Sequence, residues 1–201
     1  ERVDYTVCQD YSEEEYLKAK KWLAETGFYV YDHEGHNAMQ NLLQRMEFMA
    51  TSLGVKVIIL DHITAAATAM MASEDNNSER LLIDTLMKGI RSLCVRTGVH
   101  VDVVSQLKKT DKPYEEGSRI TLQDLRGSGS LSSVPNTVIG LERNRQASNH
   151  DEANTTIVRI LKNRLTGRAG VATGLFYSHD TNRLEEVDPT FVGGVPEFAS
   201  V

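Results

Sequence analysis

Val57-Ile58-Ile59-Leu60-Asp61-His62 constrains the fold more than any other stretch of this chain. Four consecutive aliphatic residues run directly into an aspartate. An unbroken apolar run of that length reads as a strand buried on both faces, as in parallel sheets. A carboxylate at the carboxyl end of such a strand sits at the edge where open α/β sheets hold their ligands. In nucleotide hydrolases that place belongs to the aspartate that orients Mg²⁺. An aspartate there also serves simply to cap the following turn, and on this stretch alone both readings stand.

The rest of the chain narrows the choice. Its 201 residues suffice for one domain with a full core. Residues 1–186 read as one domain and 187–201, with two prolines and two glycines, as a flexible tail. The net charge of −6 argues against a coat-like nucleic-acid protein but leaves room for a local basic loop. Cys8 and Cys94 form neither a disulfide framework nor a metal spacing, which suits a reducing, cytoplasmic setting. No apolar run approaches the roughly 20 residues of a membrane helix.

Ser12 before Glu13-Glu14-Glu15 is an N-cap followed by acids in a first turn, predicting a helix up to Gly27. Phe28–Tyr31 reads as a short strand. Asp32-His33-Glu34-Gly35-His36 concentrates metal-ligand types, yet reads better as a loop entering a helix. Met39, Leu42, Leu43, Met46, Met49 and Leu53 mark one helical face. Ile63 to Asn77 reads as a loop. Ser78 opens a helix carrying Leu82, Leu86, Ile90 and Leu93, closed at Thr97-Gly98. Val99 to Val104 forms the next strand and ends at Ser105-Gln106. Two strands separated by helix, each ending in polar residues, predict a βαβ unit with one ligand edge.

Leu107 to Arg119 is a long basic loop with Lys108, Lys109 and Lys112, and loops of that length inside a compact domain are usually functional. In Arg126-Gly127-Ser128-Gly129-Ser130, glycines around a serine let backbone N–H groups approach an anion. Taken alone, such a triplet is more often a plain turn, and the lysines are more often solvated surface charge. Strands follow at Thr137–Leu141, Thr155–Leu161, Val171–Tyr177 and Arg183–Glu186, with residues 145–154 as a hairpin loop. The expectation is an α/β fold: a mostly parallel sheet flanked by helices, then a C-terminal β-meander.

Read in order, "VIILDHI", "VVSQLK", "ITLQDLRGSGSL", "VIGLERN" and "VRILKNRLTG" resemble the helicase domain of ring-shaped replicative helicases. The resemblance is strongest to the primase–helicases of short-tailed bacteriophages, within the wider group of DnaB and Twinkle, and runs from about Phe28 to Glu185. It implies a RecA-like core, a homo-hexameric or heptameric ring, hydrolysis of ATP or dTTP with Mg²⁺ between subunits, and 5′-to-3′ movement on single-stranded DNA. Polymerase or primase would be partners, in the cytoplasm of the phage's bacterial host. By position, Asp61 resembles the Walker B residue holding Mg²⁺ through water, and Gln106 the γ-phosphate sensor. Lys108, Lys109, Lys112, Arg126, Gly127 and Ser128 resemble the loops that grip the DNA backbone, where cations read phosphate and not sequence. Lys162 and Arg164 resemble the pair that reaches into the neighbouring subunit's nucleotide, with Arg164 as the finger. Arg143 and Tyr177 resemble the residues that sandwich the base.

One departure stands out. The phosphate-loop pattern G-x-x-x-x-G-K-[S/T] does not occur in these 201 residues. In the resembled family it lies upstream of the segment where this chain begins at Glu1. The expectation is therefore a partial core lacking the phosphate-loop strand, inactive toward ATP by itself. A catalytically inert RecA-fold module for DNA binding or assembly is the alternative, and a RecA-like recombinase a weaker one.

Overall fold

The computed structural model describes residues 12–31, 39–71, 78–109, 111 and 113–188. The chain divides into two compact units, Glu1–Gly35 and His36–Val201. In the first, helix α1 (Glu13–Glu25) begins with a reciprocal cap. Ser12 Oγ accepts from the Glu15 N–H at 3.3 Å, and the Glu15 carboxylate accepts from the Ser12 N–H at 2.8 Å. Phe28, Tyr29 and Val30 are exposed and form no strand, against the sequence expectation. An apolar run becomes a strand only when another strand takes up its backbone hydrogen bonds, and no described strand pairs with this one. The acid- and histidine-rich segment 32–36 lies outside the described residues, as do Lys112 and the tail beyond 188.

The second unit is built around α4 (Glu79–Thr97). Its apolar positions follow the helical repeat, and Leu82, Ile83, Leu86, Met87, Ile90 and Leu93 are buried. Ser78 caps its start through the Leu81 N–H, and Gly98 ends it in the left-handed conformation at φ 72°. Against α4 pack α2 (Met39–Thr51), through Leu42 and Met46, and α3 (Ile63–Met71), through Ile63, Ala66, Ala67 and Met70. The sequence pattern assigned residues 63–71 to a loop. They form a helix because alanine and methionine favour it, and they lack a polar stripe because the helix is largely buried.

Strands β1 (Val57–Leu60) and β2 (His100–Val103) pair in parallel, Ile58 opposite Val101. β1 is covered on one face only. Ile58 is buried, whereas Val57 and Ile59 are 53% and 65% exposed, so the expectation of burial on both faces fails. The expected meander is present as an antiparallel sheet of β3 (Thr137–Glu142), β4 (Thr155–Asn163), β5 (Gly170–Ser178) and β6 (Arg183–Val187). Among the described residues parallel pairing is confined to β1 and β2, so the parallel part is smaller than expected. A four-residue helix, α5 (Ser130–Ser133), precedes β3. A second short helix, α6 (His150–Asn154), occupies the end of the stretch expected to be a plain hairpin loop. No described helix is long and apolar enough to cross a membrane.

Candidate nucleotide and DNA site

The ends of β1 and β2 are locked together. The Val104 N–H donates to Leu60 O at 2.9 Å, and the Ile63 N–H donates to Val104 O at 3.0 Å. Asp61 and Gln106 therefore leave the sheet at the same edge, both exposed. The Asp61–His62 peptide is cis. Among the described residues no three His, Cys, Asp or Glu side chains converge on a metal-sized site. A single exposed carboxylate still suits Mg²⁺, which is held by one or two carboxylates with water and substrate phosphates.

A chain of polar contacts starts beside Asp61. The Ala65 N–H donates to His62 Nδ1 at 3.0 Å, so the neutral imidazole carries its proton on Nε2. That nitrogen lies 3.2 Å from the Gln106 amide nitrogen. The Gln106 amide oxygen accepts from Arg126 Nη1 at 3.2 Å, and the Arg126 N–H donates to Gln106 O at 2.9 Å. Arg126 Nη2 reaches Glu79 at 3.5 Å. Gln106 has one amide oxygen and two donors that seek it, His62 and Arg126. Turned one way the amide satisfies Arg126, turned the other it satisfies His62.

The two loops expected at DNA are brought together. Leu107 and Leu125 form an antiparallel bridge, and Lys108 Nζ donates to Gln123 O at 2.6 Å. Lys108, Gln123, Leu125, Gly127, Ser128 and Gly129 line an open depression of about 380 Å³. Lys109 is exposed. Gly127 has φ 111°, and a Cβ there would stand 2.5 Å from Ile83 Cδ1, so only glycine lets the loop pass α4. Ser128 is buried and its hydroxyl donates to Asp84 of α4. That bond is the main cause holding the Asp84 carboxyl below the usual carboxylate range. What Ser128 offers a ligand is therefore backbone, since its hydroxyl is already committed.

Lys162 and Arg164 come together within the chain. Lys162 Nζ donates to the carbonyl oxygens of Ser132, Ser133 and Pro135 at 2.7, 3.0 and 2.9 Å. Arg164 Nη2 donates to Ser133 O at 2.7 Å. Desolvation, then the adjacent Arg164, holds Lys162 below the usual lysine pKa. The cations close the carboxyl end of α5, the helix into which the Arg126–Ser128 loop runs.

Arg143 and Tyr177 lie at one end of three adjacent strands. Arg143 follows β3, and Tyr177 lies in β5 next to Phe176, which pairs with Thr155 of β4. Arg143 Nε donates to Ala153 O at 2.7 Å and Nη2 to Asn154 Oδ1 at 2.9 Å. The Tyr177 hydroxyl donates to Asn182 Oδ1 at 2.8 Å, and its ring meets His179 edge-on at 5.0 Å. Neighbouring Glu142 is buried and takes both branches of Arg159 at 2.8 Å, while also accepting from the Ile120 N–H at 2.8 Å.

Sequence reasoning missed His62, Glu79, Asp84, Asn154 and His179. Most sit several residues from a recognisable motif, inside a helix or turn. Only His62 had a signal, as the residue directly after Asp61.

Known proteins resemble this chain in sequence and in fold. The profile described as DnaB-like helicase C terminal domain matches residues 4–186. The DNA helicase/primase of Enterobacteria phage T3 is 37% identical over 172 residues, which are 85% of this chain and 29% of that protein. The chain thus spans under a third of that relative's length. Two solved structures share the fold. One, an ATPase domain, has TM-score 0.66 and 20% identity over 89% of this chain and 62% of its own. The other, a DnaB-like replicative helicase studied with primase, has TM-score 0.65 and 18% identity over 88% of this chain and 42% of its own. With a RecA-like α/β core, the motifs in order and a matching profile over nearly its whole length, the chain belongs to the DnaB-like helicase C-terminal domain family.

Proposed function

We propose that this chain forms part of the motor of a replicative DNA helicase, coupling nucleoside triphosphate hydrolysis between subunits of a ring to 5′-to-3′ movement on single-stranded DNA. The observation that carries the reading is the contact chain His62–Gln106–Arg126–Glu79. It joins the strand end at Asp61 to the loop that would hold DNA, so a change at one is felt at the other. Asp61 would hold Mg²⁺ through water, and the ion would supply neutralisation of phosphate charge. Gln106 would report the γ-phosphate, and Lys108, Lys109, Lys112, Arg126 and the backbone at Gly127-Ser128 would follow the DNA phosphates. Arg164, with Lys162, would serve a neighbouring subunit's nucleotide, ATP or dTTP, while Arg143 and Tyr177 hold its base. The ring would be a hexamer or heptamer, and a primase or polymerase its partner at the fork.

The test is Gln106→Ala in the ring-forming protein. Nucleotide affinity should stay within a few-fold while DNA stops stimulating hydrolysis. Undiminished stimulation would remove Gln106 as the link.

A second reading, an inert RecA-fold module for DNA binding or assembly, draws on the absence of a phosphate-loop pattern from these 201 residues. An ATPase assay on the natural protein separates the two, since only the motor turns over nucleotide.

A further inference from the structure

Asn154 is a buried polar residue whose amide has every hydrogen-bonding capacity in use. Its oxygen accepts from Arg143 Nη2 at 2.9 Å and faces His179 Nε2 at 3.0 Å. Its nitrogen donates to His150 O at 3.0 Å and faces His150 Nε2 at 3.1 Å. The polarity is consistent along the chain. His150 accepts at Nε2, so its proton sits on Nδ1, 3.6 Å from Asp151. His179 donates from Nε2 and packs edge-on against Tyr177.

We infer that Asn154 is the positioning residue of the nucleotide-base clamp, setting the spacing and tilt of Arg143 and Tyr177. The inference rests on the reading of those two residues as the base sandwich. Two features carry it. First, Arg143 is held by two N–H donations, to Ala153 O and to Asn154; such donors lie in the guanidinium plane, so these bonds do not use its π-faces. A guanidinium tied in this way is prearranged to lie flat on an aromatic base, so less side-chain freedom is lost on binding. Second, Asn154 immediately precedes β4, the strand between β3, which leads into Arg143, and β5, which carries Tyr177. One amide therefore fixes Arg143 directly and Tyr177 through the His179 ring. Asn154 needs no contact with nucleotide to do so. Being buried and fully bonded, it does not adapt to a base; it holds the slot at one width.

The experiment is Asn154→Ala in the natural ring-forming protein, with ATP and dTTP as substrates and inorganic tripolyphosphate as a competitive inhibitor that lacks a base. KM for both nucleotides should rise about tenfold, the scale of one lost stacking contact. The kcat value should stay within twofold and the inhibition constant of tripolyphosphate should not move. A general structural defect would weaken tripolyphosphate and nucleotides alike, and that result overturns the inference, as does an unchanged KM. Asn154→Asp keeps the acceptor oxygen for Arg143 and His179 but loses both donations to His150, so its KM should fall between that of Asn154→Ala and the natural value. Should Asn154→Ala fail to assemble, the exposed His179→Ala carries the same comparison, and equal weakening of tripolyphosphate there again overturns the role. Arg143→Ala and Tyr177→Ala run in parallel. If they leave KM unchanged the base clamp itself falls; if they raise it while Asn154→Ala does not, only the role of Asn154 falls.

Discussion

Lys162 and Arg164 converge on one atom: both donate to the carbonyl oxygen of Ser133, from 3.0 and 2.7 Å. The carbonyls at a helix carboxyl terminus have no partners inside the helix, and cations there are favoured. The residues proposed to serve a neighbour's nucleotide are thus engaged within their own subunit, at the end of the helix that the Arg126–Ser128 loop feeds. Mixing Arg164→Ala subunits into natural rings should poison DNA-stimulated hydrolysis beyond their proportion, by roughly 10³-fold in all-mutant rings, because the missing charge acts in trans. Nucleotide binding should change little. A loss of turnover merely in proportion to the mutant fraction would take Arg164 out of the finger role.

The Asp84 latch gives a pH dependence whose direction is set. The Ser128 hydroxyl holds the folded carboxyl below its usual value, so its contribution to stability is fully present above the ordinary carboxylate range and is lost as pH falls through the lowered folded pKa. Asp84→Asn should therefore reduce stability at neutral pH and flatten this part of the acid limb. Melting temperature followed across an acid titration, variant against natural chain, measures it; coincident curves would mean the Ser128 bond stores nothing.

Glu142 and Arg159 form a bidentate pair with side chains only 5% and 12% exposed. Removing one partner strands a buried charge. Arg159→Ala should cost about 3–5 kcal/mol. Arg159→Met with Glu142→Leu should recover much of that in the same denaturant titration, less the hydrogen bond to the Ile120 N–H. A double variant as weak as the single would show that the hydrogen bond, and not the charge, dominates.

Gly127→Ala meets both a positive φ and Ile83 Cδ1. The combined strain should cost about 1–3 kcal/mol and weaken single-stranded DNA binding by displacing the neighbouring Arg126 and Ser128. Adding Ile83→Val should relieve the contact but not the backbone, so rescue should be partial in both melting and DNA affinity. Complete rescue would assign the whole effect to Ile83.

An ATPase assay on the 201 residues alone should read zero, because no phosphate-loop pattern is present to hold the triphosphate. DNA-stimulated turnover by this polypeptide would overturn the expectation that it is inactive toward ATP by itself.

Much of this was legible in the sequence because some signals are local and others come in a fixed order. The helical repeat of α4 follows directly from Leu82, Leu86, Ile90 and Leu93. The strand ends at Asp61 and Gln106 follow from apolar runs closed by polar residues. Helix α3 was hidden because burial removed the polar stripe by which a helix is known, leaving only Ala, Thr and Met after its first residue. The strand expected at Phe28–Tyr31 failed for the opposite reason: the apolar pattern was there, and no described strand pairs with it. Asn154, His179 and Asp84 were illegible because their roles arise from hydrogen bonds across 11 to 44 residues of sequence, which no spacing rule encodes.

The basic loop is moored at both ends. At one end Leu107 pairs with Leu125 and the Lys108 N–H with Asp124 O; at the other Glu116 pairs with Asn144 and Ile120 with Glu142. Its length is therefore a variable separate from the core. Once the moorings are made, doubling the length of such a span costs only about 0.6 kcal/mol. Residues can then be added or removed between Lys108 and Glu116 with little penalty to the fold, so related chains can diverge in length here at small cost.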